Sequence, residues 1–419
     1  MYFGIKFIYF NQIYSLILLD SNCKMSNYNI QRKGLSPIFV IVLTVFIDIT
    51  GYGIIIPLLP LYANEFDAGP AALGVLIASF ALMQFFFSPL LGRVSDSKGR
   101  KPILLLSLFV SFVGFTIFSF ANSFLMLLLS RIIAGIATER AVAQAYIADI
   151  TDEKSRTKEL GKIGAALGAG FIIGPAMGGI LSTFSYATAG YVAMLLTLVN
   201  IFFVFYFLSE PNREKEKSIE FSGYLNVLRD SINKPLLGPT LLILFIVTFA
   251  FSTIPVIVPL LGLELFNFDS FQLSIVFIYI GFIQILMQGF LIGWLSKRFG
   301  EEKLIALGPI LMAFGVISMP IFQNLVIFYL ANSMLAAGFG LINTSIPAFL
   351  SKKSSDAEQG SVLGIASSVA SIANIPGPLI IGIVYDVAGS FVPFTLSSMM
   401  LAIAFLVGCR VYSACKFRR

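Results

Sequence analysis

GKIGAALGAGFIIGPAMGG, residues 161–179, is the stretch of this 419-residue chain that says most about its fold. It is apolar and long enough to cross a membrane, yet it contains seven glycines and one proline. Glycine and proline weaken helices in water, but neighbouring helices in a membrane satisfy the backbone groups that they free. Gly170, Gly174 and Gly178 make a smooth strip that another helix can approach closely. We therefore expect a closely packed helix, bent at Pro175, that takes part in a movement.

The composition of the whole chain is typical of an integral membrane protein. Hydrophobic residues make up 57% of the chain and charged residues 12%, a balance unlike that of soluble proteins. Histidine is absent, so a carboxylate is the group left to exchange protons near neutral pH. We interpret the net charge of +6 as cytoplasmic loops facing anionic lipid rather than as a nucleic-acid interface.

Hydropathy predicts twelve membrane spans, each long enough for a bilayer core of ~30 Å. In chain order they are 37–61, 72–92, 102–121, 123–148, 161–183, 187–208, 237–263, 271–295, 304–322, 325–349, 361–385 and 390–409. Of the 28 lysines and arginines, 25 fall in the terminal segments or in alternate loops, Lys162 lies at the edge of one such loop, and Arg131 and Arg140 lie inside the fourth span. The positive-inside rule then predicts that both termini are cytoplasmic.

The chain contains an internal duplication. Residues 92–99 (GRVSDSKG) recur as residues 293–300 (GWLSKRFG), and Gly174-Pro175 in the fifth span recurs as Gly377-Pro378 in the eleventh. These pairs are 201 to 203 residues apart. The fold class predicted from this repeat is an all-α membrane protein of twelve helices in two pseudo-symmetric six-helix bundles. Such bundles with an interface between them are typical of alternating-access transporters.

We divide the chain into five segments on this basis. They are a cytoplasmic N-terminal tail (1–35), a first six-helix bundle (36–208), a cytoplasmic linker (209–235), a second six-helix bundle (236–409) and a basic cytoplasmic tail (410–419). The apolar stretch near the N-terminus is interrupted by polar residues, and as a thirteenth span it would put the N-terminus outside. We expect instead that translation starts at Met25, so that residues 1–24 are not made; N-terminal sequencing tests this.

Several motifs resemble those of the major facilitator superfamily, over about residues 36–410. Residues 92–101 (GRVSDSKGRK) are similar to its G-x-L-x-D-r-x-G-r-k loop signature, with departures at Val94 and Ser97. RIIAG, from Arg131 to Gly135, resembles an R-x-x-x-G element of drug:proton exporters. The fifth span is similar to the antiporter signature of the twelve-span exporters, at Gly161, Gly170, Gly174, Pro175, Gly178 and Gly179. Residues 81–96, 141–151 and 357–364 most resemble tetracycline efflux proteins.

The resemblance implies roles for three groups of residues. It implies a fold of two bundles, with the fifth span as hinge and seal where the halves meet. It implies proton coupling at Arg131. It also implies a latch between the halves, formed at the cytoplasmic ends of the second, third and fourth spans by a gating loop whose residues are Gly92, Asp96, Gly99, Arg100 and Asp149. The alternative for this loop is a role in loop folding and topology.

Asp48 is the main candidate for proton transfer. It lies about eleven residues, or ~16 Å, into the first span, where a carboxylate costs roughly 2.5–3.5 kcal/mol on insertion scales. Such a residue is expected to face a cavity or a partner and to exchange a proton there. A change in its distance from Arg131 would alter its proton affinity. The alternative is that Asp48 and Arg131 make static contacts between helices.

Glu139 and Arg140 are adjacent in the fourth span and are the most individual feature of the chain. On a continuous helix they point ~100° apart, so they cannot pair, whereas Arg131 and Glu139 would share a face. Tetracycline exporters have small residues where this pair stands. Either Glu139 is a second carboxylate that binds a proton or cation, or the two residues are structural.

The uncharged polar residues within spans are candidates for lining a substrate cavity, and interhelical hydrogen bonds are an equally good explanation. The tentative cavity residues are Gln84, Asn200, Gln284 and Asn343. We find no nucleotide-binding glycine loop, metal-ligand cluster or nucleophile constellation. The sequence therefore predicts no cofactor, no metal and no enzyme activity.

The predicted function is a secondary active exporter in the cell membrane. It would exchange protons for a lipophilic or amphipathic compound, such as a tetracycline-like or multidrug substrate, by alternating access and as a monomer. The alternative is proton-coupled uptake of a small metabolite on the same fold. A carrier for polar solutes should have more charged or polar groups in the second half, and the last six predicted spans contain no buried charge.

Overall fold

The computed structural model of the chain describes residues 35–151, 153–211, 236–353 and 359–417. The predicted N-terminal tail up to residue 34, the expected start at Met25, most of the linker and the end of the C-terminal tail lie outside the described residues. Within them the secondary structure is helical and contains no β-strand. This confirms the all-α prediction.

Eleven helices in the described residues are long and apolar enough to cross a membrane, judged by length and composition. Together with two shorter helices they are numbered here in chain order. They are α1 (Pro37–Asn64), α2 (Pro70–Lys98), α3 (Arg100–Ser119), α4 (Phe124–Ile136), α5 (Glu139–Ile150), α6 (Glu153–Ser182), α7 (Tyr186–Phe207), α8 (Leu237–Phe266), α9 (Ser270–Phe299), α10 (Glu301–Ile321), α11 (Leu325–Lys353), α12 (Val362–Ala388) and α13 (Phe391–Phe417).

The fourth predicted span consists of two helices, so the prediction of one continuous helix over 123–148 is wrong. The backbone leaves the helical conformation at Ala137 (φ −69°, ψ 132°) and Thr138 (φ −139°, ψ 48°). Neither α4 nor α5 is long enough to count as a span alone. Hydropathy cannot detect such a break, because a window average is insensitive to two residues. Backbone unwound at membrane depth is tolerated where protein or a cavity surrounds it.

Buried apolar side chains form separate clusters in the two halves of the chain. One cluster lies within residues 237–415. Two others lie within residues 40–208, and one of these also includes Val256 from the second half. In a membrane such packing acts through close van der Waals contact, because lipid is as apolar as the side chains themselves.

The two halves touch mainly through α2 with α12 and α6 with α9, and the tightest of these contacts lie near one end of the helices. A Cβ added to Gly74 of α2 would lie 2.5 Å from the carbonyl oxygen of Pro378 in α12. A Cβ added to Gly179 of α6 would lie 2.7 Å from Cβ of Ser274 in α9. We call this end, where α1 ends and α2 begins, the closed end.

The opposite end, where α2 ends and α3 begins, is the open end. Several glycines at this end lie on α2, α6, α9 and α12, the helices through which the halves touch. A Cβ added to any of them would have no described atom within 4 Å, and they are Gly92, Gly161, Gly164, Gly289, Gly293 and Gly364. Glycines that would allow close packing are therefore present at this end, without packing partners among the described residues. Over the part of the chain that the structure describes, the halves meet at one end and are separated at the other.

Helix α9 changes its geometry where its contact with α6 stops. Ile285 lies 3.2 Å from a Cβ added to Gly168 of α6, and the next six residues, Leu286–Leu291, form a π-helical segment. Such segments inside helices occur frequently at functional sites. The π-helical segment thus lies at the boundary between the closed and open parts of the seam between α6 and α9.

Candidate functional site

Asp48 lies on α1, deep among the helices, with its side chain partly exposed. It makes no hydrogen bond or ion pair with another described residue. Its carboxylate is close enough to that of Glu139 for electrostatic repulsion between the two. Because an unpaired carboxylate is costly at this depth, this environment suits a group that binds and releases a proton or cation.

Glu139 is the first residue of α5, and its side chain is 3% exposed. The Ser111 hydroxyl of α3 donates a hydrogen bond of 2.8 Å to its Oε1 atom. A carboxylate at a helix N-terminus interacts favourably with the helix dipole. The helix break thus stabilises Glu139, and the angles expected for a continuous helix do not apply. The neighbouring Arg140 is exposed and forms no ion pair with a described residue.

Arg131 lies in α4 and is 1% exposed. Its guanidinium carbon is 5.5 Å from the centroid of the Phe118 ring, and Tyr52 is the titratable group within electrostatic reach. Its Nη2 atom has no hydrogen-bond partner, although leaving a buried charged group unsatisfied costs more than about 1–3 kcal/mol. No ion pair joins Arg131 and Asp48 in the described residues, so the two side chains are separated in this structure.

The predicted gating loop is held together by Arg100, which is 5% exposed. Its guanidinium binds Asp96 at 2.7 Å and Asp149, at the end of α5, at 2.7 Å. It also donates a hydrogen bond of 2.6 Å to the Ser95 hydroxyl. Gly99 between α2 and α3 has φ +108°, a conformation that side chains other than glycine rarely adopt. The structure therefore brings Asp96, Gly99, Arg100 and Asp149 together, as predicted.

The repeat of this loop in the second half has the same backbone conformation and the opposite charges. Gly300 has φ +78° and ψ 153°, and Gly99 has φ +108° and ψ 152°. Glu301 follows Gly300 and pairs with Lys352 at the end of α11 at 2.5 Å. In the first half Arg100 stands where the second half has Glu301, and Asp149 stands where it has Lys352, so the acid and the base exchange places. The duplication thus preserves the geometry of the loop while reversing its ion pair.

The glycines of α6 face two different neighbours. Gly170, Gly174 and Gly178 pack against α1 of the same half; an added Cβ on Gly174 would lie 2.7 Å from Cα of Gly53. Gly168 and Gly179 face α9 of the other half. The expectation that this helix lies where the halves meet holds for the second face, whereas the regular glycine strip belongs to packing within the first half. The sequence alone does not reveal which neighbour each face meets.

The four tentative cavity residues have different environments. Gln84 and Asn343 are exposed, and Gln284 is partly buried. Asn200 is fully buried and donates a hydrogen bond of 3.2 Å to the carbonyl oxygen of Thr44 in α1. For Asn200 the structure thus has an interhelical hydrogen bond, the second of the two explanations considered above.

A cavity of about 360 Å³ lies between the halves at the closed end. Asn64 and Gly69 line it from the first half, and Glu264 and Tyr385 from the second. The Tyr385 hydroxyl donates a hydrogen bond of 2.7 Å to Glu264, which also accepts one of 3.0 Å from Ser390. This acidic cavity and the Ser111 contact to Glu139 were not predicted, because an isolated acid or serine in an apolar stretch gives no sign of its partner.

Known proteins resemble this chain along most of its length. The family model described as Major Facilitator Superfamily matches residues 41–378 and 240–414. The tetracycline resistance protein, class E, of Escherichia coli is 33% identical over 356 residues, covering 82% of this chain and 86% of its own. Multidrug resistance protein 2 of Bacillus subtilis (strain 168) is 28% identical over 374 residues, covering 87% and 93%.

Among solved structures, the nucleoside transporter NupG superimposes with a TM-score of 0.76 at 14% identity. The alignment covers 90% of this chain and 99% of that one. At this identity the likeness concerns the fold alone. In the described residues, no three His, Cys, Asp or Glu side chains come together to hold a metal ion.

Proposed function

Since the chain belongs to the Major Facilitator Superfamily, and is thus a multi-pass membrane transporter, we propose that it exports lipophilic or amphipathic compounds in exchange for protons. The relatives named for tetracycline and multidrug resistance favour this substrate class. The observation that carries the proposal is Asp48, an unpaired carboxylate deep among helices that are separated at one end. Such a group can be loaded with a proton from one side and unloaded on the other.

The proposed topology has twelve spans, with α4 and α5 together forming the fourth. Both termini and the open end face the cytoplasm, in agreement with the distribution of lysine and arginine. Residues 36–208 and 236–409 form the two bundles that move against each other, with 1–35, 209–235 and 410–419 as tails and linker. The unit that transports is a single chain, because a cavity between two bundles of one chain is sufficient for alternating access.

In the proposed cycle, Asp48 takes up the proton and Arg131 tunes its affinity. The unpaired Nη2 atom of Arg131 is available to a carboxylate or a polar substrate group that approaches during the cycle. Glu139 acts as the second carboxylate. The proton gradient supplies the driving force, of which the electrical part is ~2.3 kcal/mol per charge per 100 mV. We propose that Gln84, Gln284 and Asn343 contact the substrate in the same space.

The test is proton-driven uptake of substrates into inverted membrane vesicles, screened over a panel of lipophilic drugs. Asp48→Asn should abolish accumulation driven by a pH gradient, since the amide cannot carry the proton. The matched control is Glu65→Gln, which also replaces a carboxylate by an amide but at an exposed position near the closed end. Full gradient-driven transport by Asp48→Asn would contradict the proposal. Proton-driven accumulation in intact cells, with none in inverted vesicles, would establish uptake instead.

A further inference from the structure

Helix α3 begins with a charge arrangement that is unfavourable on its own. Its first two residues, Arg100 and Lys101, are basic, whereas a helix N-terminus carries the positive end of the dipole and favours acids. The preceding residue, Gly99, has no side chain with which to cap the free backbone N–H groups. The start of α3 therefore depends on an acceptor from elsewhere in the chain.

Glu210 provides that acceptor. One oxygen of its carboxylate accepts a hydrogen bond of 2.5 Å from the backbone N–H of Arg100, and the other accepts one of 2.8 Å from that of Lys101. Glu210 lies three residues beyond the end of α7, at the beginning of the segment that links the halves. Hydrogen bonds with a charged acceptor are about twice as strong as neutral ones.

Two further hydrogen bonds hold the end of α7 and the residues that follow it in place. The Lys101 ammonium donates a hydrogen bond of 2.8 Å to the carbonyl oxygen of Phe205, and the Tyr146 hydroxyl donates one of 2.6 Å to that of Ser209. A Cβ added to Gly99 would lie 2.9 Å from Glu210 Oε1. The glycine of the gating loop thus provides both the positive φ angle and the space for this carboxylate.

The corresponding loop of the second half does not need such a cap. Helix α10 begins with Glu301 and Glu302, two acids where α3 has two bases. Glu302 folds back to within 3.1 Å of a Cβ added to Gly300. Helix α10 therefore starts with carboxylates of its own, and among the described residues the contact with a distant carboxylate belongs to the loop of the half from which the linker starts.

We propose that Glu210, at the start of the linker, is a positioning residue of the gating loop. It holds Arg100 and Asp96 in the geometry that they need to connect the two halves when the open end closes. The inference rests on the proposed alternating access. Loss of Glu210 would weaken the latch, so that the protein would favour the conformation described here, with the open end separated.

The experiment measures access to each end in the purified full-length protein. Cys23, Cys409 and Cys415 are replaced by serine. Gly164→Cys then reports on the open end, and Leu73→Cys, buried in the seam at the closed end, reports on the other. The ratio of maleimide labelling rates, Gly164→Cys over Leu73→Cys, should rise roughly five-fold or more in Glu210→Gln. Glu210→Asp, which retains a carboxylate on a shorter stem, should recover part of the change, and Glu65→Gln should show none.

A purely structural cap predicts a different result. Glu210→Gln would then lower the unfolding temperature and leave the labelling ratio unchanged, and this outcome would overturn the proposal. If Glu210→Gln does not fold, an unchanged ratio in Glu210→Asp overturns it equally. The labelling requires neither substrate nor a proton gradient. Failure of this inference is therefore distinguishable from failure of proton-coupled export, which is judged by Asp48→Asn transport.

Discussion

Glu139, with its neighbour Arg140, is the feature of the chain to which the family resemblance assigned no role. Its carboxylate is close to that of Asp48 and is bound by the Ser111 hydroxyl. Two neighbouring carboxylates seldom ionise together, because each disfavours the charge of the other. The proximity supports the interpretation of Glu139 as a second proton-binding group. From the sequence alone, this interpretation and a structural role were equally good.

Proton release on substrate binding tests this interpretation. Purified protein in weak buffer with a pH indicator should release protons when a transported drug is added. Glu139→Gln and Asp48→Asn should each reduce the amount released, and the double variant should abolish it. Ser111→Ala retains the carboxylate and removes one charged hydrogen bond, so it should lower stability by roughly 1.5–3 kcal/mol while still releasing protons. Wild-type proton release from Glu139→Gln would assign Glu139 a structural role.

Helix α6 combines two kinds of packing in one element. The strip of Gly170, Gly174 and Gly178 is in close contact with α1, so these positions have no room for a side chain. Gly161 and Gly164, nearer the start of the helix, face open space. The glycine strip belongs to the packed interior of the first half, whereas in the proposed cycle Gly161 and Gly164 become packed only when the open end closes.

Bulky substitutions on the two faces should therefore have opposite effects. Gly174→Leu overpacks the contact with α1 and should destabilise the protein by about 1–3 kcal/mol or more, seen as a lower unfolding temperature and reduced yield. Gly164→Leu should leave the unfolding temperature unchanged and block drug transport, because the added side chain prevents closure. Normal transport by Gly164→Leu would contradict the closure of α6 against α9 at this position.

The two halves of the described residues are in contact at one end and separated at the other, which is the arrangement expected of one state in the proposed alternating-access cycle. In the proposed cycle the opposite state brings Gly161 of α6 towards Gly293 of α9, since neither glycine has a packing partner among the described residues. A disulfide needs Cβ atoms about 3.5–4.5 Å apart, so cysteines at these two positions report the closed arrangement directly.

Forcing the closed end apart should raise this cross-linking. Gly382 of α12 leaves no room for a side chain against Pro70 and Gly74, so Gly382→Trp should separate the halves there and increase the rate of disulfide formation between Gly161→Cys and Gly293→Cys. The matched control is Ile383→Trp, at an exposed position beside it. Equal rates in the two variants would show that the ends do not move reciprocally.

Much of the architecture was predictable because it depends on properties that each residue carries alone. Hydropathy predicted the helical spans, and the spacing of glycines predicted close packing on the fifth of them. The loop signature around Asp96 and Arg100 predicted a cluster that the structure has, with Asp149 as an ion-pair partner. The repeat of this loop at residues 293–300 was visible in the sequence, whereas its charge-reversed ion pair between Glu301 and Lys352 was not.

What the sequence by itself determined is the all-helical membrane fold and the family, since apolar length and local motifs act along the chain. The break at Ala137 and Thr138, the neighbour of each α6 face and the Glu210 cap on α3 were decided only in the tertiary structure. Each depends on atoms that are distant in sequence, such as the 110 positions between Arg100 and Glu210. Because a carboxylate, a carbonyl or a glycine becomes functional through the group that it meets, these features emerge only when the helices pack.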